Sequence, residues 1–515
     1  MPGASIPRWA EPLFDAAQMR AVDGWTIDTA AVPSLELMEL AGQAVARAAL
    51  EPSPEGPIVI VCGKGNNGGD GLVAARLLRE NKDRLGDKEV VVVLLGDPGE
   101  LSGDATTNLG RLPGDPPHAF DSGIIGSAGV IVDAVLGTGA SGSPEGIVAE
   151  AITAINRRSS AARVIAVDMP TGVDSSTGIV AGDAVYADLT ISLHLPKVGQ
   201  FVAPGVFHCG EVRVADIGIP PEAIAGANAV PAAGTIGPRV LRLAPRRDDA
   251  SSKFSSGVLG IVGGSTGLTG APCMTAEAAQ RTGAGYVTVF VPASLNLVFE
   301  QRLLEVMSVP LPDADGAIGT EAMETIAARS VKCDALVVGP GIGRDESTLE
   351  LVRRLVQGSE LPLLLDADGL FGFNGRIEEL RREAPLVITP HVGELARLLG
   401  TESDAVEHAR LEHATRAAEL SDAVVVLKGS DTIVAAPNAA PLVNTLRAPG
   451  LATAGTGDVL SGIAGAYLAK GLAAREAAAA AVYAHALGGR EASERRGSDH
   501  MIASDVIQLL PAVLA

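Results

Sequence analysis

Residues 453–462 read TAGTGDVLSG and hold one aspartate, Asp458, behind two glycines and at the start of an apolar run. Gly455 and Gly457 let the backbone turn closely around a ligand. The run that follows predicts a helix with Asp458 in its first turn, where free N–H groups form an anion hole. Charge developing on a transferred phosphoryl oxygen is stabilised at such a place. A carboxylate alongside can accept the proton of a hydroxyl attacking phosphorus. As a bare helix cap Asp458 would be ordinary; the paired glycines favour chemistry. LKGSDTIV, 427–434, adds a lysine and small polar groups at a strand end, suited to the phosphates of a nucleotide. TPHVGELARLLG, 389–400, opens a helix after His391, which follows a proline at a strand exit and is expected to be exposed. GGSTGLTGAP, 263–272, and GPGIGRD, 339–345, supply two further glycine turns. None is a Walker A box, which needs GKS or GKT after its glycine loop. No HxxxC or CxxC pattern points to a catalytic metal beyond Mg2+ carried with a nucleotide.

A second group of residues lies nearly four hundred positions earlier. NNGGDG, 66–71, follows the apolar run PIVIVCG and leads into LVAARLLRE. GTGASGS, 137–143, can present several backbone N–H groups in a concave turn, which suits a phosphate; a tight connection needing positive φ is an equal reading. Asn67, Asp133 and Thr171 could offer amide, carboxylate and hydroxyl oxygens from three loops. That set lacks the soft ligands zinc favours and suits a hard, low-charge cation such as K+; the plain alternative makes Asp133 and Thr171 loop caps. Asp168 ends an apolar strand at the turn DMPTGVD. Partial desolvation there is expected to raise its pKa and suit it to proton shuttling, though a turn cap is also possible. GxGxxG is absent after the first strand, and no acidic ribose ligand stands at the usual distance, which argues against an ordinary dehydrogenase.

These groups need elements to hold them. Apolar runs at 57–63, 90–96, 130–137 and 162–168 alternate with helical stretches, and a second series begins at 257 and runs through 285–292, 335–341, 361–369, 385–391 and 423–429. Strands of this kind, bounded by helices, mark mostly parallel sheets covered on both faces, and ligands of such sheets collect beyond the carboxyl ends of the strands. At 515 residues the chain exceeds what one core usually supports. Two α/β domains are predicted, 11–226 and 241–515, joined by a linker at 227–240 where the alternation dissolves. A helix is predicted at 70–80, and two long closing helices near Asp458 and Arg475. Lys+Arg total 40 against 61 Asp+Glu, a net charge of −21, which argues against a nucleic-acid partner. The four cysteines are scattered and read as buried small hydrophobes. No signal peptide or membrane span is expected, so a cytoplasmic protein is expected.

CGKGNNGGDG, DAVLGTGASG and DMPTGVDSSTG resemble the N-terminal half of the bifunctional NAD(P)H-hydrate repair enzymes. GGSTGLTGAP, GPGIG, DADGL, TPHVGE, KGSDT and AGTGDVLSG look like their C-terminal, ADP-dependent dehydratase half, in the family's order and spacing. The resemblance implies a Rossmann-like three-layer αβα epimerase domain followed by a ribokinase-like α/β dehydratase domain. It implies interconversion of the R and S forms of hydrated NADH or NADPH, then ADP-dependent dehydration of the S form, giving AMP and phosphate. By position, Asn66, Asn67, Gly68, Gly69, Asp70, Gly137, Thr138, Gly139, Ala140, Ser141, Gly142 and Ser143 would contact substrate in the first domain. Asn67, Asp133 and Thr171 would hold K+, and Asp168 would be the central acid/base or substrate-orienting residue. In the second, Ala271, Gly343 and His391 would contact the hydrate, while Lys428, Gly429, Ser430, Asp431, Thr432 and Gly457 would hold the adenine nucleotide with its Mg2+. Asp458 would face both substrate hydroxyl and transferred phosphate. The expected partners are hydrated NADH or NADPH and ADP, in a homo-oligomer. Two positions depart from the family pattern: Lys64 replaces a proline, and Thr171 replaces a serine but keeps its hydroxyl. A rival reading is a ribokinase-like small-molecule kinase fused to a Rossmann-type partner, which would release a phosphorylated product without elimination. A nucleotide-sensing module without turnover is a third.

Overall fold

A computed structural model describes residues 6–51, 55–85, 88–101 and 103–515. Residues 1–5, part of the stretch read as lacking a signal peptide, lie outside the described residues. The described residues form two compact units, one within 12–233 and the other of 6–11 with 234–515. The segment 227–240 is not free chain. It contains a strand, Ala233–Ile236, paired in parallel with Leu442–Asn444 in the sheet of the second unit. Glu11–Leu13 joins the same sheet. Neither strand carries a long apolar run, so alternation alone could not mark them.

In the first unit, seven strands form a parallel sheet: β1 (Ile58–Cys62), β2 (Val90–Leu94), β3 (His118–Ala119), β4 (Val130–Ala134), β5 (Arg163–Val167), β6 (Leu189–Leu193) and β7 (Glu211–Ala215), in the order β3-β2-β1-β4-β5-β6-β7. All five residues of β1 are buried because alternate side chains face different helical layers. Ile58, Ile60 and Cys62 pack with Leu72, Ala75 and Leu78 of α1 (Asn66–Glu80). Val59 and Val61 pack with Ala151, Ile152 and Ile155 of α2 (Gly146–Asn156). That is a three-layer αβα sandwich. The chain leaves β1 toward β2 and returns on its other side as β4, so a crevice opens at the carboxyl ends of β1 and β4.

The sheet of the second unit repeats the device. Strands β8 (Val258–Val262), β9 (Tyr286–Pro292), β10 (Met307–Leu311), β11 (Ala335–Val338), β12 (Leu363–Leu365), β13 (Leu386–Ile388) and β14 (Val424–Leu427) are parallel, with β9 and β11 on either side of β8. Two antiparallel strands, Ile433–Ala435 and Leu442–Asn444, extend it beyond β14. Helix α3 (Gly270–Thr282) follows β8, and α4 (Thr456–Ala469) packs on it through small residues. A Cβ on Gly462 would lie 2.2 Å from the Thr275 carbonyl oxygen. Gly462→Ala is therefore expected to destabilise this unit by about 1–3 kcal/mol, read as a lower thermal unfolding midpoint; an unchanged midpoint would mean the helices separate without cost.

Candidate active sites

In the first unit the switch-point crevice gathers the residues that the motifs single out. Helix α1 begins at Asn66, four residues earlier than its apolar pattern predicts, so NNGGDG is helical and not a loop. Glycine makes this possible: a Cβ on Gly68 would lie 2.0 Å from the Gly63 carbonyl oxygen. Asn67 and Asp70 are thereby buried at the helix start, and the Asn67 side-chain nitrogen has no hydrogen-bond partner. Gly137 lies against both Asn67 and Asp168; a Cβ there would sit 2.9 Å from Asn67 Oδ1 and 3.3 Å from Asp168 Oδ2. In the following loop Thr138 turns inward to Asp168, whereas Gly139, Ser141, Gly142 and Ser143 are exposed along the rim and Ala140 is half-buried.

Asp133 is fully buried within β4. Its carboxylate accepts from the Thr171 amide at 2.8 Å and the Thr171 hydroxyl at 2.7 Å, and the Thr171 hydroxyl oxygen accepts from the Leu136 amide at 3.0 Å. Burial pushes Asp133 up to about 6 against the pull of these Thr171 bonds. Asp133 and Thr171 therefore meet directly, and Asn67 comes in with Gly137 and Asp168. Lys64 points away from this chemistry into an ion pair with Glu100 at 2.5 Å, each side chain half-exposed.

Asp168 corrects an expectation. Burial acts to raise its pKa, but the charge and hydrogen bond of Lys197, with the hydroxyl and amide of Thr138, overcome that and hold it below the usual carboxylate range. Lys197 is buried and donates to Asp168 Oδ1 at 2.5 Å, to the Leu193 carbonyl at 2.7 Å and to Ser192 Oγ at 3.2 Å. Asp168 itself sits at φ 65°, a left-handed conformation that a non-glycine residue holds only when its surroundings fix it. Gln200 helps do so by donating to the Asp168 carbonyl at 2.8 Å. Lys197 and Asp23 are functional candidates that the motif reading missed. HLPKVG puts Lys197 just past the carboxyl end of a parallel strand, a position the strand-end rule flags. Asp23 lies in the helix Ala16–Asp28 and carries no such signal.

In the second unit, Gly455 (φ 89°) caps α4 and Asp458 is its third residue. Burial pushes Asp458 up to about 7, helped by the neighbouring carboxylates of Asp366 and Asp368 and opposed by Lys428. Lys428 Nζ lies 3.0 Å from Asp366 Oδ1 and 3.8 Å from Glu394, and a Cβ on Gly457 would be 3.7 Å from it. The lysine is thus set against the first turn of α4. Asp366, almost fully buried, also accepts from Ser461 Oγ at 2.7 Å, which ties the end of β12 to the same helix. Asp366 and Asp368 both belong to DADGL and were not assigned a role from sequence.

His391 caps the helix Val392–Leu399, its Nδ1 accepting from the Gly393 amide at 3.0 Å, while Glu394 accepts from the His391 amide at 2.8 Å. Burial lowers its pKa, so the half-exposed ring is neutral at pH 7 with a proton to offer on Nε2. Gly343 (φ 87°) donates to Asp368 Oδ2 at 3.3 Å. Ala271 borders Gly341 of the same loop. Ser430 and Gly429 are exposed, and the Thr432 hydroxyl closes their turn onto the Gly429 carbonyl at 2.7 Å. Asp431 is turned away from this turn's surface: its buried carboxylate pairs with the buried guanidinium of Arg410 at 2.8 Å. Any nucleotide contact at that residue falls to its backbone.

With both constellations in place, comparison with known proteins decides the family. Residues 34–199 match the family model described as YjeF-related protein N-terminus, and residues 259–512 the model described as NAD(P)H-hydrate dehydratase. The bifunctional NAD(P)H-hydrate repair enzyme Nnr of Salinibacter ruber is 39% identical over 98% of this chain and 96% of its own length. The chain belongs to that family. The bifunctional NAD(P)H-hydrate repair enzyme of Moorella thermoacetica is 38% identical over 98% of this chain and 96% of its own. Among solved structures, the ADP/ATP-dependent NAD(P)H-hydrate dehydratase of Bacillus subtilis, co-crystallised with ATP and Mg2+, aligns with 53% of this chain and 94% of its own, at 26% identity and a TM-score of 0.47. The first unit has the Rossmann-like architecture and the second the ribokinase-like α/β architecture of the two family halves.

Proposed function

We propose that the two crevices divide the repair of hydrated NADH and NADPH between them, epimerisation falling to the first unit and ADP-dependent dehydration to the second. As a bifunctional NAD(P)H-hydrate repair enzyme, the chain interconverts the R and S hydrates and returns hydrated NAD(P)H to NAD(P)H by dehydration. The observation that supports the division most directly is Asp458 at a helix start beside Lys428, its pKa pushed up to about 7. A hydroxyl on the reduced ring is a poor leaving group in water. Asp458 takes the proton of that hydroxyl as it attacks the terminal phosphorus of ADP. The amides at the start of α4 and Lys428 hold the phosphoryl oxygens as the bond to AMP breaks; phosphate then leaves with the C–O bonding pair, the adjacent ring carbon gives up its proton to it, and the dihydropyridine is restored. Mg2+ enters with the ADP phosphates, because the nearby carboxylates of Asp366 and Asp368 are already paired with Lys428 and Arg344. His391 offers its Nε2 proton to the hydrate, with Gly343 and Ala271 lining the approach.

In the first crevice, Asn67 to Asp70, Gly137 to Ser143 and Asp168 receive the hydrate. K+ would be held by the oxygens of Asp133, Thr171 and Asn67, a hard set with one carboxylate charge. Bound there, it supplies positive charge against the carboxylates of the crevice. In this reading the substrates are hydrated NADH or NADPH and ADP, and the chain works in the cytoplasm as a homo-oligomer. Among the described residues no helix is long and apolar enough to cross a membrane.

Two experiments separate the parts. Incubation with hydrated NADH and ADP should bring back the absorbance of the reduced ring; release of a phosphorylated hydrate instead would make the second unit a kinase. Exchanging K+ for a bulky organic cation at constant ionic strength should slow R/S interconversion, and Asp133→Ala should remove that dependence. A rate indifferent to K+ across the titration would leave Asp133 and Thr171 as a structural pair.

A further inference from the structure

The hydrogen bonds of the first crevice leave Asp168 poorly placed to move a proton. Oδ1 accepts from Lys197 Nζ at 2.5 Å and the Leu193 amide at 3.2 Å, and Oδ2 accepts from the Thr138 hydroxyl at 2.5 Å and amide at 3.0 Å. Both oxygens are occupied by donors, and protonating either breaks a charge-assisted bond. Asp70 is in the opposite condition. It is buried just past the first turn of α1, and none of the described residues forms a hydrogen bond or ion pair with its carboxyl group. One turn before it on the same helix, the buried Asn67 amide also has an unpartnered nitrogen. A buried amide nitrogen left unsatisfied one turn from a carboxyl group that no described residue engages points to a ligand that meets both.

We propose that Asp70 is the proton-carrying group of epimerisation, and that Asp168 is a positioning residue that fixes Lys197 and the Thr138 loop around it. The proposal rests on the epimerase site described above. In a hydrated dihydropyridine the hydroxyl and the ring nitrogen share one carbon, so the ring can open without redox change. Asp70 in its acid form gives its proton to the ring nitrogen from one carboxyl oxygen and receives the hydroxyl proton on the other. The carbon–nitrogen bond breaks with its electron pair going to nitrogen, and the hydroxyl oxygen becomes an aldehyde carbonyl. Asp70 ends as it began, a neutral acid. Rotation about the adjacent carbon–carbon bond presents the other aldehyde face, and the reverse transfer closes the ring with the configuration inverted. Burial supports this protonation state: it lifts Asp70 well above the usual carboxylate range, and the carboxylates of Asp168 and Asp23 push the same way. Asp23 is itself raised by burial to about 6 against the pull of Lys197. The Cys62 thiol, also coupled to Asp70, stays protonated, raised to about 12 by burial.

Asp70→Asn in the full chain tests this, with R/S interconversion followed by chromatography in the absence of ADP, so that dehydration does not run. A neutral amide replaces a neutral acid, so the fold should persist; unchanged dehydration of the S hydrate with ADP reports on the second unit, and circular dichroism on the whole. The expected result is a loss of about 100-fold to 10,000-fold in interconversion, with KM for the hydrate within a few fold. The wild-type rate should fall as pH rises and Asp70 ionises, and the residual rate of Asp70→Asn should be flat over that range. Wild-type interconversion by Asp70→Asn, or a wild-type rate that climbs with pH, would overturn the proposal. Should Asn67→Ala and Asp168→Asn also leave the rate untouched, the fault would lie in the location of the epimerase site and not in the proton assignment alone.

Discussion

Asp458→Asn is expected to stop dehydration of the S hydrate, by about 100-fold to 10,000-fold, while R/S interconversion continues at the wild-type rate. The reason is local. The carboxyl group sits in the first turn of α4 with Lys428 and Asp366 at hand, in a different compact unit from Asp168. Its pKa of about 7 sets the direction of the pH dependence. The ionised form is the base, so dehydration by the wild type should rise as pH passes through about 7. Stability should run the other way. A carboxyl whose pKa folding raises stabilises the fold below its ordinary range, and that contribution is lost as pH climbs through the raised value. Asp458→Asn should therefore flatten the pH dependence of unfolding near neutrality as well as remove the rate. Initial rates from pH 5.5 to 8.5, with thermal unfolding over the same range, check both. Dehydration that persists in the variant would move the base elsewhere.

Lys428→Ala should have the largest effect on stability, and this complicates its use as a ligand probe. Asp366 is almost fully buried, and burial alone would raise its pKa; the charge of Lys428 does most to hold it down, with help from hydrogen bonds such as that of Ser461. Removing one partner of a buried pair leaves an uncompensated charge at a cost of about 3–5 kcal/mol. Lys428→Ala is accordingly expected to unfold at a lower temperature, most of all at neutral and alkaline pH, where Asp366 must stay ionised. Below the carboxylate range the deficit should close as Asp366 takes up a proton. Adding Asp366→Asn should restore much of the lost stability, because the pair is then replaced and not broken. In that double variant ADP binding can be read by calorimetry: loss of one charge-assisted phosphate contact costs about 1.5–3 kcal/mol, or a tenfold to hundredfold weaker complex. Binding of hydrated NADH should change little. ADP affinity equal to that of the wild type would place the phosphates away from Lys428.

Much of this was legible in the residues because glycine clusters at strand ends announce where a parallel sheet binds ligands. TAGTGD and NNGGDG both proved to be helix starts packed over the end of a strand. Asp168 was found by its place, yet its protonation was misjudged. Burial was visible in the apolar run before it, whereas Lys197 was 29 residues away and its ammonium group 2.5 Å away. Partners supplied across a sheet leave no mark in local spacing. The same holds for Asp431, which looked like one more polar residue of KGSDT until Arg410 was seen to hold it. The strand Ala233–Ile236 was hidden for a related reason: its partners are Glu11–Leu13, some two hundred positions earlier, and Leu442–Asn444, some two hundred positions later.

The central claim is that one chain carries two separable active sites, one built around Asp168 and the other around Asp458. Complementation tests it most directly. Asp168→Asn and Asp458→Asn are each given pure R hydrate with ADP and Mg2+, alone and then mixed in equal amounts, and the absorbance of the reduced ring is followed. Neither variant alone should restore it beyond the uncatalysed rate, since one lacks the supply of S hydrate and the other its removal. The mixture should restore it, as S hydrate made by Asp458→Asn is dehydrated by Asp168→Asn. A mixture as inert as its components, from variants that each retain their one activity in separate assays, would contradict the two-site division.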